Sequence, residues 1–84
     1  MSLKIVYLAR LRDAFGCSTE SLDAGANPTL EALLGNLRAR GGAWAHELAA
    51  GRAVRVAINH DLASGPTALR DGDEIAFLPP VTGG

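Results

Sequence analysis

An α+β domain, a mixed sheet crossed by one main helix, is what this sequence predicts, and three observations carry it. Leu3 to Ala9 and Thr19 to Asp23 are short strand-like segments close enough in the chain for a hairpin-like pairing. Leu30, Leu33, Leu34 and Leu37 then fall at i, i+3, i+4 and i+7, the spacing of one apolar helical stripe. After that helix, Val54, Val56 and Ile58 alternate with Arg55 and Ala57, and Glu74 to Leu78 again has a strand pattern.

Each element has a local cause. Leu3 to Ala9 is rich in β-branched and aromatic residues, which suit a pleated surface. Arg10 to Gly16 is a polar break with room for one helical turn, and Ala24 to Pro28 is a loop. Asn27 or Thr29 can cap the helix that begins after Pro28, while Arg38, Arg40 and then Gly41-Gly42 supply its cationic last turn and its stop. Burying the four leucines contributes on the order of 6 to 12 kcal/mol before entropy is subtracted, at about 1.5 to 3 kcal/mol each, so this helix clamps the sheet. Ala43 to Ala50 reads as a shorter helix with Trp44 and Leu48 on one face, closed by Gly51. Asn59 to Asp61 turns the chain, Leu62-Ala63 begins a short return strand and Gly65-Pro66 breaks it. Asp71-Gly72-Asp73 is a tight turn into Glu74 to Leu78, and Pro79-Pro80 ends regular structure because neither ring can donate to a ladder. The chain divides into one domain over residues 1–80 and a tail over 81–84.

Composition excludes several classes. With 84 residues and 48% hydrophobic content the chain fits one small domain with an adequate core. A net charge of -1 without a basic cluster gives no footprint for nucleic acid. Cys17 is the only cysteine, so no internal disulfide can form, and the longest apolar run, Ile5 to Ala9, is too short for a membrane span. These features suit a cytoplasmic protein without a membrane partner.

The ending carries the functional signal. Gly83-Gly84 follow Pro79-Pro80-Val81-Thr82. Lacking Cβ atoms, two glycines can enter a channel closed to side chains and present the α-carboxylate inside another protein's active site. Val81 to Gly84 reach roughly 13 to 14 Å when fully extended, at about 3.3 to 3.6 Å per residue. Chain ends are also glycine-rich and frayed for no functional reason, and the last two residues alone leave both readings open.

The order strand, strand, helix, short helix, strand, turn, strand is the plan of the β-grasp or ubiquitin-like fold, with the first and last strands parallel at the centre. Within that plan, the run Asp71-Gly72-Asp73-Glu74-Ile75-Ala76-Phe77-Leu78-Pro79-Pro80-Val81-Thr82-Gly83-Gly84 resembles the C-terminal signature of the small, sulfur-carrying subunits of molybdopterin synthase. The likeness covers nearly the whole chain, and these fourteen residues are its diagnostic part. The small sulfur carriers of thiamin biosynthesis share the fold and the diglycine end but usually lack the Phe-Leu-Pro-Pro-Val approach.

The resemblance implies a chemistry. An ATP-dependent, E1-like adenylating enzyme converts the Gly84 carboxylate to an acyl-adenylate, and a sulfur donor acting through that enzyme displaces AMP. The resulting thiocarboxylate on Gly84 is soft, anionic and nucleophilic. The loaded tail then enters the large subunit of molybdopterin synthase and gives its sulfur to a cyclic pyranopterin, with Gly83 letting the channel close around the backbone and Pro79, Pro80, Val81 and Thr82 forming the approach. By this resemblance the chain is not catalytic alone and binds no cofactor stably, ATP being used by the activating partner. A thiamin-type sulfur carrier, a ubiquitin-like modifier linked to lysines through Gly84, and an inert β-grasp interaction module are the alternatives.

Other polar candidates read as structural. Cys17, beside Gly16 and Ser18, has no basic pair nearby in sequence to make it a persulfide relay. His46 and His60 lie on separate elements without metal-ligand spacing, and the Asp71-Gly72-Asp73-Glu74 cluster lacks the remaining ligands of a calcium loop. Gly41-Gly42 is not preceded by a strand or followed by a lysine, as a phosphate cradle requires.

Strand parity places the partner surface. Ile75 and Phe77 share one face of the last strand and Glu74, Ala76 and Leu78 the other, while Ile5 and Tyr7 oppose Lys4, Val6 and Leu8 in the first. Phe77 with Val54, Val56 and Ile58 is the better core set, so Val6, Leu8, Ala76 and Leu78 line an open face, with Leu62 reaching it from the turn. The partner-binding candidates are thus Leu8, Leu62 and Leu78 together with the approach residues 79–82.

Overall fold

The computed structural model describes residues 2–49, 54–63 and 67–79. Among these residues, five strands and three helices follow in the order β1 (Ser2–Tyr7), α1 (Arg10–Phe15), β2 (Thr19–Asp23), α2 (Leu30–Arg38), α3 (Gly42–Glu47), β3 (Arg55–Ile58), β4 (Asp61–Leu62) and β5 (Glu74–Leu78). The strands form one sheet in the order β2-β1-β5-β3-β4. β1 and β5 pair in parallel, with Ile5 opposite Ile75 and Tyr7 opposite Phe77, and every other pairing is antiparallel.

The helices cover one side of this sheet. Leu3, Ile5, Tyr7, Ile75 and Phe77 are at most 1% exposed, and Leu11 of α1, Leu33 and Leu37 of α2 and Leu48 after α3 close over them. Thr29 is the cap of α2, its hydroxyl accepting from the Ala32 amide at 3.1 Å. Asn27, the other capping candidate, is buried instead as a polar tie: its side chain donates to the Asp23 carbonyl and accepts from the Asn36 amide. Leu34 and the Val54, Val56 and Ile58 set are only half-buried, packed against the core rather than sealed in it. These residues lie near the sheet edge, where β4 supplies just two residues, beside a groove lined by Leu30, Leu34, Val54, Arg55, Val56, Leu62 and Ala63.

Several boundaries differ from the sequence reading, among them the return strand, which is Asp61–Leu62 rather than beginning at Leu62, because Asp61 already pairs with Ile58. β1 stops at Tyr7 rather than Ala9, because Ala9 adopts φ 53° and ψ -131° and turns the chain at once into α1. The break at Arg10 to Gly16 is a six-residue helix ended by Gly16 in the left-handed region at φ 72°. The short helix spans Gly42–Glu47 rather than Ala43 to Ala50, and Gly41, with φ 77°, separates it from α2. Ala50 and the expected stop at Gly51, like the break at Gly65-Pro66, lie outside the described residues.

Candidate functional site: the open sheet face and the root of the tail

Alternation along the strands gives the uncovered side of the sheet its character. Arg55 is the register partner of Leu78, Ala57 that of both Ala76 and Leu62, and Val6 that of Ala76. Paired residues share a face, so Val6, Ala57, Ala76, Leu78 and Leu62 form an apolar patch opposite the helices. Val6, Ala57, Ala76 and Leu78 are half-buried, Leu62 is 63% exposed and Leu8 39% exposed. Leu8 and Leu62 are the exposed large hydrophobic residues among those described. The Leu8 amide donates to the Phe77 carbonyl at 3.1 Å, carrying the parallel ladder one residue past β1 toward Leu78.

Leu8, Leu62 and Leu78 therefore meet on one surface, and half-buried Pro79 continues from its edge. Pro80, Val81, Thr82, Gly83 and Gly84 lie outside the described residues. β5 holds this exit firmly: it sits between β1 and β3, and the turn before it is pinned at several points. Asn59 donates to the Asp73 carboxylate at 2.9 Å and accepts from the Glu74 amide at 3.0 Å, while the second Asp73 oxygen accepts from the Arg70 amide at 2.9 Å. These donors favour the ionised form and hold the Asp73 carboxyl below its usual range. Turn chemistry thus accounts for the acid cluster, with Gly72 at φ 88° where a side chain would be strained.

A second polar constellation, not foreseen from the sequence, ties the helical side together. The Tyr7 hydroxyl donates to Glu20 at 2.6 Å, and Arg40 grips the same carboxylate with both terminal nitrogens at 2.8 and 2.9 Å. The Arg40 guanidinium lies 4.4 Å from the centre of the Trp44 ring, which stacks on Phe15 at 3.9 Å, with Tyr7 edge-on to both. The Arg40 bonds, with help from Tyr7, hold the Glu20 carboxyl below its ordinary range despite partial burial. The signal lay in parity, since Glu20 shares the inward face of β2 with Leu22 opposite Ile5 and Leu3. Only the position of Arg40, two residues past α2, was beyond such reasoning.

Cys17 is half-buried, and its thiol is pushed up first by burial and then by the Glu20 charge, which opposes thiolate formation. His46 and His60 are both exposed, one on α3 and one in the β3–β4 turn, and no group of three or more His, Cys, Asp or Glu able to hold a metal occurs among the described residues. No helix among those residues is long and apolar enough to cross a membrane.

Comparison with known proteins bears on the family and the fold. The molybdopterin synthase sulfur carrier subunit of Escherichia coli (strain K12) is 40% identical over 83 residues, covering 98% of this chain and 99% of that protein. Its counterpart in Haemophilus influenzae (strain ATCC 51907 / DSM 11121 / KW20 / Rd) is 39% identical over 82 residues, again 98% of this chain and 99% of that protein. Among solved structures, SAMP1 from Haloferax volcanii superposes with a TM-score of 0.67 at 31% identity, each chain covered in full. The five-stranded mixed sheet is the ubiquitin-like β-grasp that the order of elements predicts. The ThiS family profile matches residues 5–84, and on that match and the identity to its relatives the chain belongs to the ThiS family.

Proposed function

We propose that this chain is the sulfur carrier subunit in molybdopterin biosynthesis, with the Gly84 carboxylate as the carrying group. The observation that carries the reading is a diglycine end on a β-grasp body whose relatives, 40% and 39% identical over nearly their full length, are molybdopterin synthase sulfur carrier subunits. The chemistry requires activation, because a carboxylate has no leaving group. An ATP-dependent E1-like enzyme joins the terminal carboxylate to AMP with release of pyrophosphate. Attack by a sulfide-level nucleophile then breaks the acyl–oxygen bond, releases AMP and leaves sulfur on the Gly84 carbonyl carbon; if the sulfur arrives as a donor persulfide, the acyl disulfide formed is cleaved by a second thiol, which takes the donor sulfur into a disulfide and frees the thiocarboxylate. The thiocarboxylate sulfur is the nucleophile delivered to the pyranopterin in the large synthase subunit. Acid, base and phosphate-binding groups belong to the partners, and this chain supplies the reactive end and the surface that positions it.

The open face is the docking surface in this reading. An apolar patch of Val6, Leu8, Leu62, Ala76 and Leu78 beside the root of the tail is costly to expose unless a partner covers it. Residues 79–82 then form the stalk that crosses the partner's wall, and Gly83 the narrowest passage.

Deleting Gly84, or adding one residue after it, moves the reactive carbonyl by roughly 3.5 Å in a site that must hold reacting atoms near contact distance. Sulfur transfer in a reconstituted synthase should be abolished while thermal melting is unchanged. Full activity of either variant would refute the terminal-carrier reading. Intact-mass spectrometry of the protein isolated from cells should show a fraction with one sulfur in place of one oxygen, and replacing Cys17 by alanine should leave that fraction in place.

A further inference from the structure

Arg55 stands on the open face at the rim of the apolar patch and, among the described residues, has no carboxylate partner; Arg38 and Arg70 have no ion pair there either, but neither is a register partner of a residue in the patch. Arg10 pairs with Glu47 at 2.8 Å, Arg40 with Glu20 at 2.8 Å, Arg12 with Asp13 at 4.0 Å and Lys4 with Glu74 at 3.9 Å. Arg55 is exposed and has no ion pair or side-chain hydrogen bond among the described residues. Its position is fixed by the sheet: as register partner of Leu78 it stands beside the last described strand residue before Pro79, where the tail leaves the body.

Resting on the docking surface proposed above, we infer that Arg55 is a docking residue that pairs with a carboxylate on the large synthase subunit and fixes the alignment in which the tail enters. A partner that covers Leu78 also removes water from the neighbouring guanidinium. Burying that charge unpaired costs several kcal/mol, so a wholly apolar partner surface is excluded and an acidic group must face it. The guanidinium suits the task, since its planar fork binds a carboxylate through two parallel hydrogen bonds and is more weakly hydrated than an ammonium. Its reach rules out a direct part in the chemistry. Six residue steps separate Leu78 from Gly84, roughly 20 Å when extended at about 3.3 to 3.6 Å each. Arg55 thus acts at the mouth of the partner's channel, giving direction to a patch whose apolar contacts are not directional by themselves.

The test compares association of the full chain with the large synthase subunit at low and high ionic strength. Charge reversal in Arg55→Glu should slow association about tenfold at ~0.01 M salt, where the screening length is about 30 Å, and the difference should close at ~1 M, where it is about 3 Å. Arg55→Lys should associate nearly as the parent does and supplies a probe, because Lys4 is the only lysine in the chain. Carbodiimide coupling of the Arg55→Lys complex should yield a zero-length amide from position 55 to an Asp or Glu of the large subunit, located by peptide mapping. Association of Arg55→Glu within twofold of the parent at low salt, or the absence of a cross-link from position 55, would overturn the assignment. If sulfur transfer remained intact in that case, the sulfur-carrier reading would stand alone, whereas a parent chain that fails to bind the large subunit would remove both.

Discussion

The two faces of one sheet are built from neighbouring residues of the same strands and have opposite fates. In β5, Ile75 and Phe77 are fully buried, while Ala76 and Leu78 between and after them remain half-buried and Leu62 of β4 is 63% exposed. Composition does not separate the faces, because both are apolar at their centres. Helical cover does: α1, α2 and α3 all lie on the Tyr7–Phe77 side, and the other side has no intramolecular partner among the described residues. One face holds the domain together and the other is available for an encounter, so substitutions one residue apart should divide between stability and association.

The largest expected effect is on the covered face. Phe77→Ala should cost about 3 to 5 kcal/mol, a large share of the stability of so small a domain, as measured by chemical denaturation. Leu78→Lys, one residue on, should cost less than about 1 kcal/mol while weakening binding to the large synthase subunit and the adenylating enzyme by calorimetric titration. Equal losses of stability in both variants would erase the distinction between the faces, and unchanged affinity would remove Leu78 from the interface.

The polar edge of the covered face gives a pH-dependent version of the comparison. Glu20 has a folded pKa below its unfolded value of about 4.3, so it binds protons more readily when unfolded. Its contribution is complete above the unfolded value and is lost as pH falls through the lower folded one. Glu20→Gln should therefore flatten the acid limb of the stability profile below about pH 4.3 and reduce stability at neutral pH, where Arg40 loses its bidentate partner. An unchanged acid limb in thermal melts would show that the Tyr7–Glu20–Arg40 tie does not couple to folding.

A modest gain in stability, rather than a loss, is expected where the chain turns from β1 into α1. Ala9, with φ 53° and ψ -131°, occupies a conformation that favours glycine. Relief of about 1 to 3 kcal/mol of strain in Ala9→Gly exceeds the roughly 0.5 to 1 kcal/mol of added chain entropy. The variant should gain about 1 kcal/mol, a rise of ~4 to 8 °C in Tm for a domain of this size. A fall in Tm would show that the turn does not hold Ala9 under strain.

Much of this division was legible from alternation alone. Thr19–Asp23 and Glu74–Leu78 occupy the strands read from the sequence, and parity assigned Phe77 and Leu78 to the correct faces. The helical stripe identified α2, although Leu34 falls beside the edge groove and stays half-buried with Val54, Val56 and Ile58. Periodicity reports which face a residue occupies, not how far the neighbouring elements extend over it. α1 was hard to see because it is six residues long and its apolar signal is one i, i+4 pair, buried Leu11 and half-buried Phe15. The Glu20–Arg40 tie was invisible for another reason: the residues are 20 apart and meet only once α2 has packed. At the C-terminal end, the glycines and prolines marked the candidate site through what they lack, a Cβ or an amide hydrogen, which needs no fold to be read.

β5 has a consequence in mechanical terms. Because this last strand lies between β1 and β3 rather than at an edge, a partner drawing on the chain beyond Pro79 pulls along a strand zipped on both sides. The load falls in shear across two ladders at once and cannot peel the strand away one hydrogen bond at a time. The body thus resists traction applied along β5 through the chain beyond Pro79.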